Sequence, residues 1–383
     1  MATAVETAPP KAQKTLDSIY VQGSRTISSA PPRPATEEEI PVIDASDLYS
    51  EDVADRRAIA MKIKAAAENI GFFYIKNHGV PDEVIEEAKE EAFKFFRQPK
   101  ETKDLVSMKQ FPYFSGYIGY ASVKFNNTGP VNKKESFAYQ YHPDWDPMYD
   151  ELPHPIDLQT LNPSILPWVR GEERVWSLTS NLPSFRRATL AYWRACLSLA
   201  RRLVRAFALA LDLPENFFDN LTTYPGVDGV INYYPGTRTA AAQGWSPHDE
   251  GDIGLECHTD LQCFTLLWQD LTGGLLVLNR AGEWIEATPV PGTIVVNIAD
   301  FLMRLTNGRW ESTVHRVDAN KAEEDRLSMP IFFGFNFNEK CSVLPSCVDE
   351  EHPAKYEPIT CGDWCATRLK RGKPVGSVEP DKQ

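Results

Sequence analysis

The chain has 383 residues, 42% of them hydrophobic and 11% aromatic, with a formal net charge of −13. That composition supports a large buried core, and the acidic balance argues against general nucleic-acid binding. No apolar run approaches the roughly 20 residues that span a bilayer, so no membrane role is expected.

The N-terminal MATAVETAPPKAQK lacks the apolar centre of a secretory signal. The seven cysteines (Cys196, Cys257, Cys263, Cys341, Cys347, Cys361 and Cys365) contain no CxxC pair, which argues against a thiolate zinc site. Cys361 and Cys365, at helical spacing, read as small buried hydrophobes. Reduced thiols and the missing leader give the expectation of a cytoplasmic protein.

In chain order, residues 1–38 are rich in Ala, Pro, Ser and Thr and are expected to form a flexible N-terminal arm or wrapping segment. EIPVIDAS, 39–46, predicts a short strand. A helix is expected over 55–70, with Ile59, Ile63, Ala66 and Ala67 on one side. GFFYIKNHGV supplies the next strand and a turn at His78-Gly79, where His78 is assigned a structural role. Pro81 to Phe96 opens with Pro-Asp-Glu and continues as an amphipathic helix. Residues 111–167 are loop-rich, with SGYIGY and a strand at KESFAY. A helix over 182–211 and a short one after Pro214 follow; the arginines of LARRLVRAFALAL are expected on a solvated face. No repeat of 20 to 50 residues is present.

After Val227 the pattern changes. GVINYYP, CFTLLWQ, GLLVL, EWIEATP, TIVVNI, STVHRV and RLSMPIFFGFNF are short β-rich runs punctuated by Gly, Pro, Asn and Asp. Strands at this spacing without intervening helices predict a sandwich or jelly-roll barrel. The expected class is α+β: a helical and mixed region over 39–226 packing on a β-core with a C-terminal helix over 227–370, then a tail, 371–383.

The chemistry concentrates in that core. His258 and Asp260, in ECHTDLQCFTLLWQD, are two residues apart, and on one strand they would share a face. A buried carboxylate there needs a partner or a metal. His315, in ESTVHRV, is the best third ligand, because it lies in another strand-like run of the same core. His248, His142, His154 and His352 sit in polar or Pro-Asp-rich loops. Two histidines and a carboxylate suit Fe(II) with open positions, and a zinc hydrolase could use the same ligand types. Arg326 and Ser328, again i and i+2, form a fork and a hydroxyl suited to a carboxylate. Asn232 and Tyr234 share a strand face in GVINYYP and could add an amide and a phenol. Aromatic candidates for a substrate wall are Phe333, Phe335 and Phe337 after the arginine, Tyr117 and Tyr120 in SGYIGY, and Trp245 as a lid residue.

Together these residues resemble the Fe(II)/2-oxoglutarate-dependent dioxygenases, in the branch that includes isopenicillin N synthase and plant flavonoid oxygenases. The match runs in order from IPVIDAS to about Leu369, through GFFYIKNHGVP, FFRQPKETK, NYYP, HTD, GGLLVL, VNIADFLMRLTNGRWESTVHRV and RLSMPIFF. The resemblance implies a double-stranded β-helix (jelly-roll) core flanked by helices. By position it implies that His258, Asp260 and His315 hold iron, and that Arg326 and Ser328, helped by Tyr234, bind the distal carboxylate of 2-oxoglutarate. Asn232 would lie beside the metal and the keto acid. The segment GTRTAAAQGWSPHDEGDIGLEC between NYYP and HTD is longer than in the plant members, which loosens any transfer of substrate specificity.

The expected function is therefore O₂-dependent oxidation (hydroxylation, desaturation or cyclisation) of a small organic molecule, a specialised metabolite, with succinate and CO₂ formed from 2-oxoglutarate. Two alternatives stay open at this point: a same-fold Fe(II) oxidase that does not use 2-oxoglutarate, and a non-catalytic small-molecule binder on this scaffold.

Overall fold

Local signals set most element boundaries in the computed structural model, which describes residues 14–16, 25–111, 114–122, 131–148, 158–169, 173–245 and 253–371. Helix Val53–Asn69 starts where the Asp52 carboxylate accepts the Ala54 N–H at 2.8 Å. It stops before Gly71, whose φ is +70°. A Cβ at Gly71 would lie 1.9 Å from the Glu311 carbonyl oxygen, so the turn requires glycine. Helix Asp82–Phe96 carries Asp82 and Glu83 in its first turn, on the positive end of its dipole.

The long helix Phe185–Ala210 buries its apolar face against the larger sheet, and the Tyr192 hydroxyl donates to the Met329 carbonyl at 2.8 Å. The expected solvated face is overturned at Arg201, which forks onto the buried Asp146 at 2.8 and 2.6 Å. A loop distant in sequence folds over that face and supplies the carboxylate, which helical periodicity does not report. The short helix expected after Pro214 is not formed. Turns lead instead to a 3₁₀ turn at Asp219–Leu221, a stretch too short to repay helix nucleation.

Two sheets form the β-core. The larger has eight strands in the order 42–44, 72–76, 293–298, 264–269, 326–336, 225–234, 135–140, 116–118. The smaller has five, in the order 33–34, 284–286, 275–278, 315–318, 253–258. Leu275, Val277, Ile285 and Val317 of the smaller sheet pack with Phe72, Tyr74, Tyr234 and Val295 of the larger as one buried cluster. This is a jelly roll flanked by helices, of α+β class.

Half of the larger sheet comes from the N-terminal part of the chain. Strands 42–44, 72–76, 116–118 and 135–140 hydrogen-bond directly into it. Helices first and strands afterwards is therefore too simple a plan, because strand partners are chosen by tertiary pairing across long sequence separations.

Of the segment 1–38, expected as a flexible arm or wrapping segment, the C-terminal end lies against the smaller sheet. Arg33–Pro34 adds a parallel strand beside Trp284–Glu286, and the Arg33 guanidinium pairs with Glu39 and Glu283 at 2.7 and 2.9 Å. Among the described residues no helix is long and apolar enough to cross a membrane. The seven cysteines form no disulfide, and Cys361 and Cys365 are buried.

Candidate metal centre and its cavity

Strand Ile253–His258 ends on His258, which sits directly opposite His315 in the antiparallel pairing with strand His315–Asp318. Asp260 is not on that strand. It lies in the turn that carries the chain from the smaller sheet into strand Phe264–Gln269 of the larger. The one-strand explanation of the HxD spacing is thus replaced: the turn backbone aims the carboxylate, and the Asp260 carbonyl is fixed by the Asp300 N–H at 3.0 Å.

The three side chains converge. His258 Nε2 and His315 Nε2 lie 3.6 and 3.7 Å from Asp260 Oδ1. One ligand atom from each residue falls within 4.8 Å of the others. His258 Nδ1 meets the Glu256 carbonyl at 2.7 Å, and His315 Nδ1 meets the Thr313 carbonyl at 3.0 Å. A carbonyl only accepts, so each Nδ1 carries the proton and each Nε2 presents its lone pair to the shared point. Burial, with His315 alongside, pushes the His258 imidazole down to about 4, so it is neutral near pH 7.

Asp260 spends its other oxygen on support. Oδ2 accepts from the Thr265 hydroxyl at 2.5 Å and from the Asn297 amide at 2.7 Å. Burial opposes its charge, but the two imidazoles and these two donors outweigh that, and the carboxyl sits below its ordinary value. Behind the turn, buried Asp300 accepts from Ser312 at 2.7 Å and Thr259 at 3.2 Å and pairs with Arg368 of the C-terminal helix at 3.2 Å. The C-terminal helix therefore clamps the segment that bears the HTD motif.

A second group is assembled by strand register. Strand Arg326–Asn336 pairs with Pro225–Tyr234 so that Arg326 faces Tyr234 and Ser328 faces Asn232. Arg326 is 2% exposed. One Nη donates to Gln269 Oε1 at 3.0 Å, and its guanidinium carbon lies 4.6 Å from the Tyr234 ring centre. Its Nε and other Nη are closed to solvent and have no hydrogen-bond partner. A buried cation with two unpartnered nitrogens has the donor geometry that could take a carboxylate in bidentate fashion. Burial raises the Tyr234 phenol, which stays protonated and able to donate.

Lys134 was not singled out in the sequence. It precedes strand Glu135–Gln140, and with Ser136, two positions on, it donates to Asn232 Oδ1, the serine at 2.8 Å. Burial, with Arg326 nearby, pushes its amine down to about 7. The signal was present in KKESFAY, where Lys134 and Ser136 alternate on one strand face.

Of these groups, Lys134, Asn232, His258 and Asp260 line, with Asn132, a cavity of about 280 Å³ walled by Phe114, Trp168, Val230, Phe332 and Phe337, whereas His315, Arg326, Ser328 and Tyr234 do not line it. The expected aromatic wall is largely corrected. Phe333 and Phe335 are buried against Phe264 and against Phe218 and Phe301. Their odd positions place them on the strand face opposite Arg326 and Ser328, and Phe332, at even spacing, lines the cavity instead. Phe337, beyond the strand end, is a wall residue as expected. Tyr117 is buried with its hydroxyl on Glu135. Tyr120 and Trp245 stack on each other at 4.0 Å, and neither lines the cavity. His78 is buried and accepts the Val80 N–H. His142 accepts an N–H within a 3₁₀ turn, His352 is exposed beside Asp349, and His154 and His248 lie outside the described residues.

Two family models match the chain: "non-haem dioxygenase in morphine synthesis N-terminal" over residues 40–160 and "2OG-Fe(II) oxygenase superfamily" over 229–335. A Metarhizium rileyi protein named "2-oxoglutarate-Fe(II) type oxidoreductase ppzC" is 42% identical, covering 96% of both chains. The chain belongs to the 2-oxoglutarate–Fe(II) oxygenase superfamily. The oxygenase is also 31% identical to the Emericella nidulans "2-oxoglutarate-Fe(II) type oxidoreductase hxnY", over 86% of this chain and 89% of that one. Its fold matches the crystal structure of Neurospora crassa T7H in complex with alpha-KG and thymine, with a TM-score of 0.69, 26% identity, and 88% and 98% of the two chains covered. It is an oxidoreductase that uses Fe(II), 2-oxoglutarate and O₂.

Proposed function

We propose that His258, Asp260 and His315 hold the iron, that Arg326, Ser328 and Tyr234 bind the distal carboxylate of 2-oxoglutarate, and that Asn232 lies beside its keto-acid end. The enzyme then oxidises a small, partly apolar organic molecule, a specialised metabolite. The observation that carries this reading is Arg326, a fully buried guanidinium with two unpartnered nitrogens and no carboxylate pairing with it among the described residues. A dianion such as 2-oxoglutarate supplies what both Arg326 and Lys134 lack. The Metarhizium relative, 42% identical over 96% of both chains and named a 2-oxoglutarate-Fe(II) type oxidoreductase, supports the use of this co-substrate.

The donor set fits Fe(II): two imidazoles and one carboxylate whose ligand atoms converge, a set that suits iron with positions left for small ligands. Bound iron supplies the activation of O₂ and the oxidising power for the substrate. The protein's own residues do the positioning. Glu256 and Thr313 carbonyls fix the imidazole tautomers, while Thr265 and Asn297 hold one Asp260 oxygen and leave the other for the metal. Arg326 orients the co-substrate, and Phe332, Phe337 and Trp168 keep the cavity wall apolar.

Anaerobic addition of Fe(II) and then 2-oxoglutarate to the purified protein tests this reading. The expected result is a weak visible charge-transfer band, absent in His258→Ala and weakened in Arg326→Ala. Iron binding without a band on adding the keto acid would overturn the co-substrate roles, and lack of iron binding would overturn the metal assignment.

A further inference from the structure

The cavity has a second polar end that neither the metal ligands nor the anion group uses. Asp228 lies on the same strand as Asn232 and Tyr234 at even spacing, so it shares their face. It lines the cavity with Gln262, whose Nε2 donates to Asp228 Oδ2 at 3.1 Å. The remaining acceptors, Asp228 Oδ1 and Gln262 Oε1, have no hydrogen-bond partner.

No cation among the described residues pairs with this carboxylate. Only burial and the Gln262 amide act on it, and burial lifts it to about 7. Its flanks are apolar, Val230 on its own strand and Phe332 directly opposite. The backbone also makes room for the amide: a Cβ at Gly334 would lie 1.9 Å from Gln262 Oε1. An unpaired carboxyl in such surroundings is costly, and the wall would be filled at lower cost by an apolar side chain. The missing partner is therefore a positive N–H donor that arrives with the ligand.

We infer that this end of the cavity seats a protonated amine of the substrate, so that the molecule oxidised is a small amine with an apolar body. An ammonium offers two or three N–H donors, enough to engage Asp228 and the Gln262 carbonyl together. Anchoring there leaves the apolar body along Val230 and Phe332, with its far carbons toward His258 and Asp260. This rests on the proposed use of the cavity as the substrate site of the oxygenase.

The test is isothermal titration calorimetry at pH 8 on the anaerobic protein loaded with Fe(II) and 2-oxoglutarate. The probes are 2-phenylethylamine hydrochloride and its neutral counterpart, 2-phenylethanol. The amine is expected to bind at least about tenfold more tightly than the alcohol, as one charge-assisted hydrogen-bond pair allows. Asp228→Asn should bring the two within about twofold, and Gln262→Leu, which keeps the carboxylate, should lower the preference by about threefold. Equal affinities, no binding of either probe, or a preference unchanged in Asp228→Asn would overturn the inference. If Asp228→Asn fails to fold, Gln262→Leu decides, and an unchanged preference there overturns it. The 2-oxoglutarate band read on the same wild-type sample separates the two failures: a band without amine preference sinks this inference alone, and no band sinks the reading beneath it.

Discussion

Two sets of buried polar groups in the molecule are built on opposite terms. Around His258, Asp260 and His315, the supporting atoms are already satisfied within the protein: both Nδ1 atoms meet carbonyls, and one Asp260 oxygen holds two donors. What remains open is one atom from each side chain, and all three converge. At Arg326 and Asp228 the charge itself lacks a partner. The comparison teaches how to separate support from recognition. Groups that finish their hydrogen bonds internally set geometry, and buried charges left incomplete mark where a ligand must complete them.

The largest effect that would break this contrast is expected from the metal end. Asp260→Ala should reduce Fe(II)-dependent turnover of 2-oxoglutarate to background, with iron retention measured after desalting; retained iron would show that Asp260 is no ligand. At the anion end, Arg326→Leu should raise the KM for 2-oxoglutarate by about 30-fold to 1000-fold, since it removes a buried charge-assisted pair. Arg326→Lys should recover only part of this, because a point charge does not replace the fork. Asn297→Ala removes one support of Asp260 and should weaken Fe(II) affinity by about 10-fold to 100-fold without abolishing it, read from a metal titration.

Smaller effects sharpen the contrast. Asp228 has a folded-state carboxyl raised to about 7, against an ordinary value near 4. It therefore holds its proton more tightly folded than unfolded, and its contribution to stability is lost as pH rises through about 7. Asp228→Asn cannot ionise, so its melting temperature should exceed wild type at pH 8.5, by about 4 °C, and the gap should shrink at pH 6. A gap that is the same at both pH values would show that Asp228 does not titrate there. Finally, Phe333→Leu should lower stability by about 1–2 kcal/mol and leave the KM for substrate unchanged, whereas Phe332→Leu should move that KM with little loss of stability. The reverse pattern would overturn the assignment of the two strand faces.

Much of this was legible in the sequence where physics acts locally. Hydrophobic periodicity and caps located helices 53–69, 82–96 and 185–210 to within a few residues. The period-2 rule put Arg326 with Ser328 and Asn232 with Tyr234, and register then set the two pairs opposite each other. The same rule, applied to the aromatics, would have chosen Phe332 over Phe333. It did not apply to HTD, because Asp260 sits beyond the strand end.

The amino-acid sequence by itself determined the element types, the β-rich core, the membership of the HxD, His and RxS groups, and hence the chemistry available. Tertiary structure alone decided which residues meet: that Lys134, just before another strand, reaches Asn232, that Arg368 clamps the HTD turn through Asp300, and that Asp228 and Gln262 share part of the cavity lining. The physical reason is range. Propensity, capping and alternation act over a few residues, whereas pairing a charge or leaving it incomplete depends on partners brought from 30 to more than 100 positions away.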